Sequence, residues 1–258
     1  MVEYYRTADW QARAQHLGHS VGVVVVAFLV GYVLLNVTAL SLVAAGVVTA
    51  EALANPDIPV PPAVYAAITV AQFLGMGVLG YVYLRWRGET DLFGIGVPDL
   101  RDVAAVVVGF VAIFLAAVAL TQVVRLLGVQ SATNQVVEQG QQNPDIFLYM
   151  IPVTILLVAP AEELLFRGIV QGLLRRVSGV VPAILLGSAL FGVAHWLALT
   201  GGGSRLTYVA IAAVLGLVLG TAYELTENLT VPIVIHGLWN AFLFGSQYAA
   251  ASGAAATV

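Results

Sequence analysis

Ile146 to Arg167 reads IFLYMIPVTILLVAPAEELLFR: no charge from Ile146 to Ala161, then two adjacent acids, Glu162 and Glu163, then an arginine four positions after the second. A helix needs ~20 residues to cross ~30 Å of hydrocarbon, and this run has that length. Its acids therefore fall inside an apolar segment, where an ionised side chain costs several kcal/mol. Acids kept in such a place point to function as well as packing.

The rest of the chain has the same character. Of 258 residues, 60% are hydrophobic and 9% charged, with mean hydropathy +0.94. Soluble domains carry about 25% charged residues, so this chain lacks the charges to cover a water-facing surface. Six more stretches match the length of Ile146–Phe166: Val21–Val48, Ala63–Leu84, Val103–Leu127, Val180–Leu199, Leu206–Tyr223 and Val231–Tyr248. None has the alternation of a barrel strand, and backbone in lipid must bond to itself. The expected fold is all-α, a polytopic transmembrane helix bundle of about seven spans. Residues 1–258 form one integral membrane domain, with no internal repeat. The run from Val21 to Ala50 is longer than the ~7–15 residues of a signal-peptide core, so it is expected to be a retained first span.

All ten cations are Arg. Assigned to alternate sides, Arg6, Arg13, Arg85, Arg87, Arg101, Arg167, Arg175 and Arg176 share one face and Arg125 and Arg205 the other. This bias predicts a cell-membrane protein with a cytoplasmic N-terminus. A net charge of −4 without a basic block excludes nucleic acid as a partner, and the absence of Cys excludes disulfides and thiolate chemistry. Arg175 and Arg176 read as interface anchors, Glu224 and Glu227 as loop solvation, and Asn55 to Pro62 as a rigid turn.

Polar groups recur in two other spans. Phe191-Gly-Val-Ala-His195 lies in the fifth, and His236-Gly-Leu-Trp-Asn240 in the seventh. The intervals 162 to 178 and 179 to 195 are both 16 residues, on either side of a Ser178-Gly179 link. In an antiparallel pair this predicts equal depth and a side-by-side meeting of Glu162 with His195. Glu163, Arg167, Gln171 and Arg175 repeat at i+4 and form one stripe, so Glu163 and Arg167 are expected to pair within the helix. The stripe also predicts that this helix projects past the bilayer, with the site ~10–15 Å below the Arg-rich interface. Glu162, ~100° away from Glu163, is left to face His195. A carboxylate beside an imidazole can take a proton from water. His236 and Asn240, at i and i+4, can both donate to an oxyanion. Taken singly, each has a plainer reading: a buried acid paired with Arg or Tyr, core histidines, an amide joining helices, Phe191 and Trp196 as packing.

Glu-Glu-x-x-x-Arg, Phe-x-x-x-His and His-x-x-x-Asn, in that order on successive apolar segments, resemble the three motifs of the CAAX-protease and bacteriocin-processing family, which includes the type II CAAX prenyl endopeptidases. The resemblance covers Ile146 to Tyr248, so 146–248 are the expected catalytic helices. It implies an intramembrane endopeptidase working near the cytoplasmic leaflet on a peptide or protein substrate, lipidated or not. Glu162 would be general base, His195 its partner on the attacking water, and His236 with Asn240 the oxyanion hole. Glu163 and Arg167 would support the site and Phe191 line it. The family has been read both as metal-dependent and as metal-free. Glu162, His195 and His236 could ligate a catalytic zinc; with neither an HExxH helix nor a thiolate, the metal-free form is favoured here and no cofactor is required. A non-catalytic scaffold or a proton-coupled transporter is the alternative, since buried Glu and His also build proton relays.

Overall fold

The computed structural model describes residues 9–55, 58–92 and 94–255. Arg6 of the charge count and the Pro56-Asp57 centre of the expected turn lie outside them. The described chain is an all-α bundle. Helix α1 (Trp10–Ala44) is capped by the Asp9 side chain, which accepts from Ala12 N. A short α2 (Ala50–Ala54) and α3 (Pro62–Arg87) follow, α3 ending at Gly88 in the left-handed region. Helix α4 (Leu100–Leu126) starts at a capping box between Asp99 and Asp102. Then come β1 (Thr133–Asn134), α5 (Gln135–Gln142) and the long α6 (Asp145–Ser178). Gly179, at φ 83°, is the whole link to α7 (Val180–Ala194), which tightens into a 3-10 turn over His195–Ala198. After β2 (Leu199–Thr200) come α8 (Arg205–Thr226) and α9 (Thr230–Ala255). The two short strands pair antiparallel, Thr133 opposite Thr200, and tie the α4–α5 segment to the α7–α8 link.

Six of these helices, α1, α3, α4, α6, α7 with its 3-10 turn, and α8, are long and apolar enough to span a membrane. The seventh expected span is also helical: α9 has 26 residues, but His236, Trp239, Asn240, Ser246 and Gln247 dilute its apolar content. That dilution follows in part from its work, because His236 is buried and Asn240 bonds to Thr154.

Helix α6 occupies the centre. From Ala161 to Leu174 every residue is buried, whereas α1, α3 and α4 present Val, Leu and Phe to the outside as a lipid-facing wall does. A helix buried on all sides has no amphipathic stripe to follow, so its few polar groups must find partners in its neighbours. They do so as rungs on α8. Arg167 donates to Gly216 O at 3.1 Å, Gln171 to Gly220 O at 3.0 Å, and Arg175 pairs with Glu224 at 3.0 Å. Each rung advances four residues on both helices. Arg176 pairs with Glu89 and Asp91, and Arg175 also reaches Glu227. Arg175 and Arg176 thus clamp loop acids together, and Glu224, with a side chain only 6% exposed, belongs to the rung rather than to loop solvent. Arg167 is itself 1% exposed, so it is no loop charge and leaves the orientation count.

Close helix approach depends on glycine at two places near the site. A Cβ at Gly192 would stand 2.5 Å from Val209 O, a backbone atom that cannot step aside. A Cβ at Gly216 would lie 3.2 Å from Phe191 and 3.3 Å from the Arg167 guanidinium. Both contacts bring α7 and α8 together where Phe191 and Arg167 sit.

Candidate active site

Helix α6 is not a regular α-helix. It widens to π geometry at Thr154–Val158, just before Pro160, and again over Leu164–Gln171. Proline removes an intrahelical donor and crowds the preceding turn, and a widened turn absorbs that crowding. Such widened turns occur often at functional sites. Their consequence here is geometric: residue counting no longer measures depth or direction along α6.

The carboxylates of Glu162 and Glu163 flank one imidazole. Glu163 Oε1 is 2.8 Å from His236 Nδ1, and Glu162 Oε2 is 3.6 Å from His236 Nε2. Two residues ~100° apart cannot aim at one atom, but an imidazole offers a nitrogen to each side. A nitrogen at 2.8 Å from a carboxylate donates to it, so Nδ1 carries the hydrogen and Nε2 presents a lone pair towards Glu162. Behind this pair stands Arg167, with Nε 3.2 Å from Glu163 Oε2 and Nη1 3.2 Å from Oε1. The guanidinium spends its third arm on Gly216 O and lies 4.4 Å over the Phe191 ring. Glu163, with a fully buried side chain, is therefore held from both directions.

Phe191 is the hub between the two histidines. Its centroid is 4.4 Å from that of His195 and 5.9 Å from that of His236, and it meets Phe166 edge-on at 5.2 Å. His195 heads the 3-10 turn, and its Nδ1 donates to Phe191 O at 2.8 Å, which leaves Nε2 as the free acceptor. Its ring runs roughly parallel to Tyr208, 6.3 Å away. Asn240 lies one turn beyond His236, and its amide nitrogen donates to Thr154 Oγ1 at 3.2 Å.

His195, His236, Asn240, Phe191 and Tyr208 line a cleft of about 490 Å³, walled further by α4, α8 and α9. Glu162 does not line it; its carboxylate sits against His236. The expected meeting of Glu162 with His195 is not made. No ion pair or hydrogen bond joins them among the described residues, and Glu162 has His236 as its neighbour instead. The equal intervals misled because π turns alter the register of α6 and because His195 stands past the end of the α7 helix proper.

Depth reads differently on different helices. Stepping once more from Arg167–Gly216 sets Glu163 level with Ala212, fourteen residues or ~20 Å from the Arg-rich end of α8. Along α9, His236, which bonds Glu163, is six residues or ~9 Å from the helix start at that same end. The site lies in the interior of the bundle.

A catalytic zinc would need Glu162, His195 and His236 on one ion. Among the described residues no three of His, Cys, Asp and Glu converge to hold one. These side chains do not fit a zinc in this arrangement.

Four participants escaped the sequence reading. Thr154 left a signal, a hydroxyl buried to 1% in an apolar run eight residues before Glu162. Tyr208 and Gly216 look like ordinary span residues, and the α4 wall is apolar from Ile113 to Val118.

Residues 144–242 match the family model described as Type II CAAX prenyl endopeptidase Rce1-like. No curated protein and no solved structure matches the chain.

Proposed function

From a chain that carries a domain of the type II CAAX prenyl endopeptidase Rce1-like family over residues 144–242, we infer an intramembrane endopeptidase that hydrolyses a peptide bond in the cleft beside His236. The family implies the protease class; the roles that follow are our reading. The observation that carries it is the position of His236, held by Glu163 on one nitrogen and set against Glu162 on the other.

A water at the edge of the cleft, between Glu162 and His236, gives one hydrogen bond to Glu162 and the other to the Nε2 lone pair of His236, which leaves its own lone pair for a substrate carbonyl. As the oxygen attacks, Glu162 takes the proton and returns it to the leaving amine. Glu163 holds the imidazole in the tautomer that keeps Nε2 unprotonated, and Arg167 holds Glu163. Sequence reasoning gave His236 to the oxyanion; in this geometry it serves the water. The oxyanion falls to Asn240, whose amide nitrogen has one hydrogen engaged by Thr154 and a second to offer the substrate. His195, with Nε2 free and its ring lining the same cleft, stands beside Phe191 as a second acceptor for the water. The substrate is a peptide or protein segment, lipidated or plain, since the apolar wall of the cleft suits either.

The test is cleavage of internally quenched peptides, prenylated and unprenylated, by the purified protein in detergent. Turnover is expected to persist in a strong zinc chelator and to fall ~10²–10³-fold in Asn240→Ala, the loss typical of one oxyanion donor. Activity lost to chelator and restored by zinc would replace this mechanism with a metal-dependent one. Proton flux into proteoliposomes without any cleavage would favour the transporter reading.

A further inference from the structure

The cleft has a buried end and an open end, and the two point along the membrane normal. On α4, Gly109 is closed off by Ile235, Ile113 is 0% exposed, and Phe114 is 39% exposed; Thr121 and Gln122, two turns further on, are exposed. On α8 the order reverses, as it must for the opposite chain direction: Leu219 and Ala212 are buried, while Tyr208, three residues after Arg205, is partly open. Ser131, in the segment paired to the α7–α8 link, completes the rim. The polar rim of Thr121, Gln122 and Ser131 therefore lies at the end of the bundle where α4 finishes and α8 begins. The side of the cleft towards lipid is closed by aromatic contacts between α4 and α9: Phe242 meets Phe110 at 6.2 Å and Phe114 at 5.8 Å, both edge-on.

The helix ends at the other end of the bundle carry most of the Arg residues. Among the described residues, with Arg167 removed as a buried site residue, Arg13, Arg85, Arg87, Arg101, Arg175 and Arg176 remain on that side, against Arg125 and Arg205 at the rim end. Positive-inside bias counts Lys and Arg in short loops irrespective of neighbouring acids, so the ion pairs of Arg175 and Arg176 do not weaken it.

We propose that the cleft opens on the extracytoplasmic side, so that the substrate is a peptide, or the juxtamembrane segment of a membrane protein, entering from that face past Thr121, Gln122 and Ser131. This rests on the peptidase reading for its chemistry, but the sidedness stands on charge and burial alone. A polar rim fits extended backbone arriving from water, and the aromatic side wall fits a chain descending from above rather than sliding in from lipid.

The chain has no cysteine, so single cysteines report without further engineering. In sealed right-side-out vesicles, Gln122→Cys and Leu126→Cys should react with a membrane-impermeant maleimide, and Leu100→Cys, 86% exposed at the Arg-rich end, only after permeabilisation. Attaching a bulky maleimide to Gln122→Cys should slow peptide cleavage at least tenfold relative to the same variant unlabelled, while labelling Leu100→Cys should leave the rate unchanged. The reverse labelling pattern would overturn the sidedness, and it reads out even from a protein that cleaves nothing. Correct labelling with no block at Gln122→Cys would overturn the entry route. Two rim reporters keep the labelling readable if one variant fails to fold.

Discussion

Glu162→Gln will lower kcat by ~10²–10⁴-fold, the span expected for loss of a general base, while KM stays within a few-fold and the protein melts at or above the parent temperature. The substitution is isosteric, so the packing around Pro160 and Ala161 is kept. What it removes is the capacity to take a proton from a water beside His236, 3.6 Å away. The stability half of this expectation shows that the lost rate is not lost folding. A carboxylate 8% exposed, with no formal cation bonded to it, is costly to bury, and an amide in its place relieves that cost. If Glu162 served only as a packing acid, Gln would leave the rate unchanged. Rates and apparent melting temperatures on the same detergent preparation decide between them.

Arg167→Met will be the most destabilising of the site substitutions. The guanidinium is fully enclosed and meets three groups at once: the Glu163 carboxylate, the carbonyl of Gly216, and the face of Phe191. Methionine fills similar volume but leaves Glu163 with a buried charge that only His236 can answer. Breaking one side of a buried pair costs ~3–5 kcal/mol, which for a chain of this size is roughly 10 °C in apparent melting temperature. Adding Glu163→Gln to Arg167→Met should recover much of that loss, because the uncompensated charge is then gone. A double variant no more stable than Arg167→Met would mean that the packing over Phe191 and Gly216, rather than the ion pair, carries the stability. Activity should stay low in both, since His236 loses its orienting carboxylate in the double variant.

How much of this could be read from the residues follows from what each kind of signal measures. Hydropathy over ~20 residues reports burial in lipid, so the spans were legible, and the Glu163–Arg167 spacing of four belongs to any helical turn. Average hydropathy over a span length is lowest at α9 among the long helices for an informative reason: this is the helix that supplies His236 and Asn240. Residue counting assumes constant rise and twist. It therefore placed Glu162 beside His195 and could not anticipate two π turns in α6, which depend on prolines and tertiary packing together. The roles of Tyr208 and Gly216 were beyond reach, and that of Thr154 was signalled only by a hydroxyl in an apolar run, because each acts through a partner far away in sequence. Thr154 is tied to a residue 86 positions later, and Gly216 accepts from one 49 positions earlier.

The central claim is that Glu162 and His236 act on a single water. A double-mutant cycle on peptide cleavage tests it most directly, comparing Glu162→Gln, His236→Gln and the combined variant with the parent under single-turnover conditions. Groups that work as one unit are grossly non-additive, so each single substitution should cost nearly the full ~10²–10⁴-fold and the double no more than about tenfold beyond the worse single. Losses that multiply across the two sites would mean that they serve separate steps, and the shared-water mechanism would have to be abandoned.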